Sequence, residues 1–208
     1  MSFLVVEGAS LKYPYDEFDA FSDISFVANR GETVSLILGA QGGKTSLAKT
    51  FMGLTHLSSG KIEIEGNSLS LIKPCDRNIA YITLPLLYAK KTVEKNIAFG
   101  LESRKYDKNT IKNLTQNALA EYGLINSAKL KVASLSTEQQ LCLAIARAYV
   151  RPVDLAIFDN IRGKDSQLDK IIDKRINKNQ QEGITTLLLC DKREQAVGKI
   201  YKFNKVDY

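Results

Sequence analysis

Lys44 and Thr45 end a short glycine-rich run, Gly39-Ala40-Gln41-Gly42-Gly43-Lys44-Thr45. An ammonium and a hydroxyl placed directly after adjacent glycines are the groups that hold a nucleotide's phosphate chain. The glycines let backbone N–H groups turn inward, the lysine reaches the terminal phosphates, and the threonine ligates magnesium. Ser46 opens a helix-forming run whose N-terminus adds positive potential at the same place. The usual spacing has four residues between the first glycine and Gly-Lys; counted from Gly39, this chain has three. Either the loop is one residue short, or Leu38 stands where its first glycine would be.

A second chemical group is Asp159, at the end of the apolar run Leu155-Ala156-Ile157-Phe158, with Asn160 next to it. Ser136 and Gln139 have the spacing of a capping box at a helix start. The single histidine, His56, lies outside all these stretches. Cys75, Cys142 and Cys190 are three cysteines without metal-ligand spacing. Cys142 and Cys190 lie in apolar runs and read as core thiols of a reducing compartment.

These groups need a scaffold that brings strand ends together. At 208 residues and 44% hydrophobic content the chain suits one α/β domain. Residues 2–6 and 24–27 read as strands, with a turn at Tyr13-Pro14-Tyr15-Asp16 between them. Glu32–Leu38 reads as a buried parallel strand and Thr45–Leu54 as a helix. Lys61–Glu65 alternates strictly and reads as a half-buried edge strand. Further strands are expected at Ile79–Ile82, Asp154–Asp159, Ile184–Cys190 and Ile200–Phe203. Residues 92–130, polar and rich in Lys and Asn, read as a helical lobe. A helix starts at Ser136, with Leu141, Ala144, Ile145 and Ala148 on one face, and a charged helix covers 166–181. Alternating strands and helices imply a mostly parallel sheet. There are 29 Lys and Arg against 23 Asp and Glu, a net charge of +6. Without an arginine-rich block or an interleaved aromatic stripe, this reads as an ordinary solvated basic surface, and no nucleic-acid partner is expected. No signal peptide or apolar stretch of membrane-spanning length is visible, so the expected location is cytoplasmic.

Several stretches, in order, resemble the nucleotide-binding subunits of ATP-binding-cassette (ABC) transporters, in wording closest to importer ATPases of the maltose and other sugar-uptake type. Beyond the phosphate loop they are Gly53-Leu54, Ser58–Ile62, Asp76–Tyr81, Thr92–Gly100, Leu135-Ser136, Ala144–Ala148 and Gly183–Thr186. The resemblance implies a P-loop NTPase core with a mostly parallel sheet, an N-terminal antiparallel β part and an inserted helical subdomain. On it, 1–84 and 148–208 form the core and 85–147 the helical subdomain. It implies ATP and Mg2+ as ligands, with Tyr13 (or Tyr15) stacking on adenine. Gly39, Gln41, Gly42, Gly43, Lys44, Thr45 and Ser46 would hold phosphate, and Thr45 and Asp159 the metal. It also implies a membrane permease and a second ATPase subunit as partners, facing this one head to tail, on the inner face of the membrane.

The same resemblance exposes departures. Leu84 stands where a glutamine would contact magnesium and the attacking water and sense the membrane subunit, and the loop from there to Thr92 is about one residue short. In Leu135-Ser136-Thr137-Glu138-Gln139, Thr137 and Glu138 replace two glycines, leaving Ser136 to face phosphate. Asn160 stands where the general-base glutamate would be, and Asp191 where a histidine would meet the γ-phosphate. Asp165 matches a dimer-contact aspartate. The preferred expectation is a degenerate importer subunit that binds nucleotide weakly, with little or no hydrolysis. An active, unorthodox ATPase, and an interaction module that binds no nucleotide, are the alternatives.

Overall fold

The computed structural model describes residues 2–85, 90–102 and 106–203. Strands β1 (Leu4–Leu11) and β2 (Phe21–Ala28) lead to β3 (Thr33–Ile37) and helix α1 (Lys44–Phe51). Strands β4 (Ser59–Ile64), β5 (Asn67–Ser68) and β6 (Ile79–Ile82) follow, then helices α2 (Val93–Glu102), α3 (Lys108–Glu121) and α4 (Thr137–Tyr149). The chain ends with β7 (Leu155–Asp159), α5 (Ser166–Gln181), β8 (Thr185–Cys190) and β9 (Lys199–Lys202).

Two sheets result. One is antiparallel, in the order β2-β1-β4-β5; the other runs β6-β7-β8-β3-β9 with every pairing parallel. The edge-strand expectation for Lys61–Glu65 is corrected: β5 pairs beyond β4, so β4 lies between two strands. Its alternation has another origin, since Ile62 is buried and Ile64 packs on the same core while the intervening residues face outward.

Period-two side-chain direction splits each parallel strand between two cores. Leu155 and Ile157 of β7 and Leu187 and Leu189 of β8 join α1 and the antiparallel sheet in one cluster. Ala156, Phe158, Leu188 and Cys190 point the other way, to Leu141, Ala144 and Ile145 of α4 and Leu168, Ile172 and Ile176 of α5. The opposite side of α4, with Leu143 and Ala146, closes a third cluster with Val93 and Ile97 of α2 and Leu119 of α3. Buried Arg175 ties these helices together: its guanidinium lies 4.1 Å from the Tyr149 ring centre and donates to Asn179 Oδ1 at 2.8 Å and Tyr122 Oη at 3.3 Å.

The capping box read from Ser136 and Gln139 is present. Ser136 Oγ accepts from Gln139 N at 3.3 Å, and Ser136 N donates to Gln139 Oε1 at 3.1 Å. Ser136→Ala should therefore cost about 1 kcal/mol of stability by urea unfolding. A change of no more than a few tenths would mean that this cap contributes nothing.

Cys190 is buried and Cys142 half-buried, as core thiols should be. Burial raises both thiols, that of Cys190 to about 11. Among the described residues no helix is long and apolar enough to cross a membrane.

Candidate nucleotide site

The loops that follow β3, β6, β7 and β8 all leave the same end of the parallel sheet, where open α/β sheets hold ligands. The β3 loop carries the glycine run. Leu38 N donates to Cys190 O at 3.1 Å, so the loop starts against the end of β8. Gly43 has a φ of +73° and caps α1 without a side chain. A Cβ on Gly43 would lie 2.1 Å from the Ala20 carbonyl oxygen, and one on Gly42 only 1.7 Å from that of Leu38. No other residue fits at either position, so the turn that aims the first N–H groups of α1 outward is sterically fixed.

Lys44 is 6% exposed. Its ammonium donates to the Gly39 carbonyl and makes an ion pair with Asp191 Oδ1 at 2.5 Å. The sequence places Asp191 at the site, and its partner is this lysine. Burial opposes ionisation of Asp191, but Lys44, the Asn160 side chain and the charge of Lys164 together outweigh it and hold the carboxyl below its usual range. The Asp191 turn is fixed by Gln195, whose Oε1 accepts from Asp191 N at 2.8 Å and Lys192 N at 2.9 Å. Gln195 Nε2 donates to Arg162 O at 2.8 Å and Arg162 Nη1 donates to Gln195 O at 3.1 Å, a reciprocal bridge between the β7 and β8 loops.

Asp159 is buried at the end of β7. Its Oδ2 accepts from Thr45 Oγ1 at 2.8 Å and from Tyr81 Oη at 2.7 Å, while its Oδ1 has no hydrogen-bond partner. Burial, then the hydrogen bond to Asp159, raises the Tyr81 phenol, which stays a donor. A buried carboxylate oxygen without a donor calls for a hard cation or its water, and the Thr45 hydroxyl lies beside it, so the donor set fits magnesium. Asn160, next in sequence, has a φ of +51°, a conformation asparagine tolerates better than most residues.

The remaining predicted residues fall as follows. Tyr13 packs against the first core and its hydroxyl contacts Ser46 Oγ at 3.2 Å, while Tyr15 is fully exposed. Gln41 is exposed at the loop tip and Gly39 has a φ of +72°. Leu84 packs against the second core. Residues 86–89 of the loop that reads as shortened lie outside the described residues. Ser136 and Glu138 are exposed at the start of α4. The hydrogen bonds described for Ser136 stay within the start of α4, to Gln139 and Gln140, so none of them joins it to the Gly39–Thr45 loop. Tyr81 is the site residue that sequence reading missed. Its only signal was its place in a strand beside β7, two residues before a loop that borders the site.

A family model described as "ABC transporter" matches residues 21–162. The spermidine/putrescine import ATP-binding protein PotA of Haemophilus influenzae is 31% identical over 93% of this chain and 53% of its own length. The putrescine transport ATP-binding protein PotG of Escherichia coli K12 is 30% identical over 97% of this chain and 55% of its own. The chain thus spans about half the length of these curated relatives. A solved structure described as an ATP binding subunit of an ABC transporter superposes with a TM-score of 0.74 at 26% identity, covering 91% of this chain and 79% of the other. A nucleotide-free ATP-binding cassette gives 0.81 at 20% identity, covering 98% and 88%.

Proposed function

The chain belongs to the ABC transporter family, and on that premise we propose that it is a degenerate ATP-binding subunit of an importer, holding adenine nucleotide and Mg2+ weakly with little or no hydrolysis. The observation that carries this reading is the state of the two carboxylates at the strand ends. Asp191 is paired with Lys44, and Asp159 already accepts from Thr45 and Tyr81. Asp191 is thus held by an ammonium, the unpartnered Oδ1 of Asp159 is the oxygen a metal would take, and Asn160 is chemically unable to take a proton from water. The Gly39–Ser46 loop, Thr45 and Asp159 would still hold a phosphate chain and its metal, with Tyr13 at the adenine.

The proposed partners are a second ATPase subunit, reached through Ser136 and Asp165, and a membrane permease. For the permease, a cleft of about 690 Å³ supports the reading. It lies beside Thr83 and Pro85, which flank the segment that the resemblance assigns to sensing the membrane subunit, and it is lined by Met52, Leu54, Phe99, Arg147 and Arg151. The subunit would lie on the cytoplasmic face of the membrane, with 1–84 and 148–208 as core and 85–147 as helical subdomain. The relatives named above are a spermidine/putrescine import and a putrescine transport ATP-binding protein; the substrate served by this chain would be set by its permease.

The test is magnesium-dependent phosphate release by the purified chain, compared with Lys44→Ala. The expected result is no release above the variant's background. Turnover that Lys44→Ala abolishes would overturn the reading in favour of an active ATPase.

A further inference from the structure

We propose that the phosphate loop is a nucleoside-diphosphate site, with Asp191 standing in the place of a terminal phosphate, so that the chain holds ADP in preference to ATP. The inference rests on the reading above that this loop holds an adenine nucleotide, and it deepens it by naming which one.

In a loop of this kind the lysine ammonium marks the outer end of the phosphate chain. Here that end is already taken by an anion. Asp191 Oδ1 lies 2.5 Å from Lys44 Nζ, and the lysine is almost wholly buried. A buried ammonium needs a partner, so the carboxylate leaves only if another anion replaces it. The carboxylate is also held from behind. Its backbone N–H is bound to Gln195, and Gln195 is bound to Arg162 in the neighbouring loop.

A diphosphate is compatible with this arrangement. It can lie on the N-terminal amides of α1 and take the third Lys44 N–H, which Gly39 and Asp191 leave over, with Thr45 and Asp159 supplying the metal side, while the Lys44–Asp191 pair stays closed. A triphosphate is not. Its last phosphoryl group must take Lys44 from Asp191, leaving a braced carboxylate beside a phosphate of like charge in a partly dry site. Lys164, the other cation acting on Asp191, is exposed and offsets little of this. The site therefore discriminates by the number of phosphates.

The experiment is calorimetric titration of the full chain with ADP and with ATP, each with and without Mg2+, repeated on Asp191→Asn. ADP should bind at least tenfold more tightly than ATP, and Asp191→Asn should bring the two within about threefold of each other by tightening ATP. A thermal melt shows whether the variant is folded; if it is not, Asp191→Ala removes the same charge. ATP binding as tightly as ADP in the unaltered chain overturns the inference alone. So does a tenfold gap that persists in a folded Asp191 variant. If neither nucleotide binds, the proposed function falls as well.

Discussion

Arg77→Ala lowers the stability of the fold by about 3 to 5 kcal/mol, the largest single-residue stability effect expected outside the apolar cores. The side chain is buried and donates four hydrogen bonds to backbone carbonyls. Nε reaches Ile72 at 3.0 Å, Nη2 reaches Leu69 at 2.7 Å, and Nη1 reaches Thr50 at 3.1 Å and Phe51 at 2.7 Å. The last two carbonyls end α1, where a cation also complements the helix dipole. Truncation would remove the described donors of the Phe51 and Ile72 carbonyls, while Thr50 O keeps Gly53 N at 3.0 Å and Leu69 O keeps Ile72 N at 3.3 Å, and Gly53 packs so close that a Cβ there would come 2.8 Å from Arg77 Cζ. Arg77→Lys should recover less than half of the loss, because an ammonium cannot fork to carbonyls on different sides. Urea unfolding of both variants measures this; a loss below about 1 kcal/mol in Arg77→Ala would contradict the account.

The second large effect concerns binding. Lys44→Ala should weaken ADP by at least about 100-fold, because a charge-assisted contact to phosphate is roughly twice as strong as a neutral one and no other cation lies on the loop. Its effect on stability should be small, within about 1 kcal/mol. Asp191, whose side chain is 27% exposed, keeps its contact with water where it stands once its partner is gone. The combination separates a binding role from a structural one. Calorimetry should show the loss while the urea midpoint barely moves, and affinity within threefold of the unaltered chain would remove Lys44 from the site.

Local signals survived the passage from sequence to structure well. The capping box at Ser136, the helix at 166–181 and the buried strands around β3, β7 and β8 are written in short-range spacing, and the structure places them within a residue or two. Glycines 42 and 43 were legible for the same reason, since a phosphate turn demands them locally. What escaped depends on partners far along the chain. Tyr81 and Asp159 meet across 78 residues, and Arg77 binds backbone groups that have no side-chain identity to read. The β4 misreading was of this kind too, because a two-residue strand such as β5 carries no periodicity. Asp191 was read only as standing where a histidine would meet the γ-phosphate. Its pairing with Lys44 became visible only when β3 and β8 were seen side by side.

The bridge between Arg162 and Gln195 has a consequence for inheritance. Each residue gives and receives through the other's backbone, Arg162 is further fixed by Asp173 at 3.0 Å, and Gly163 must stay small because a Cβ there would meet Gln195 Cγ at 2.6 Å. Two stretches thirty-odd residues apart therefore form one unit of variation. A substitution in either would be tolerated only alongside a matching change in the other, and their energetic costs would not add. A lineage could drift freely on either side of this pair, yet would have to cross it in two coordinated steps.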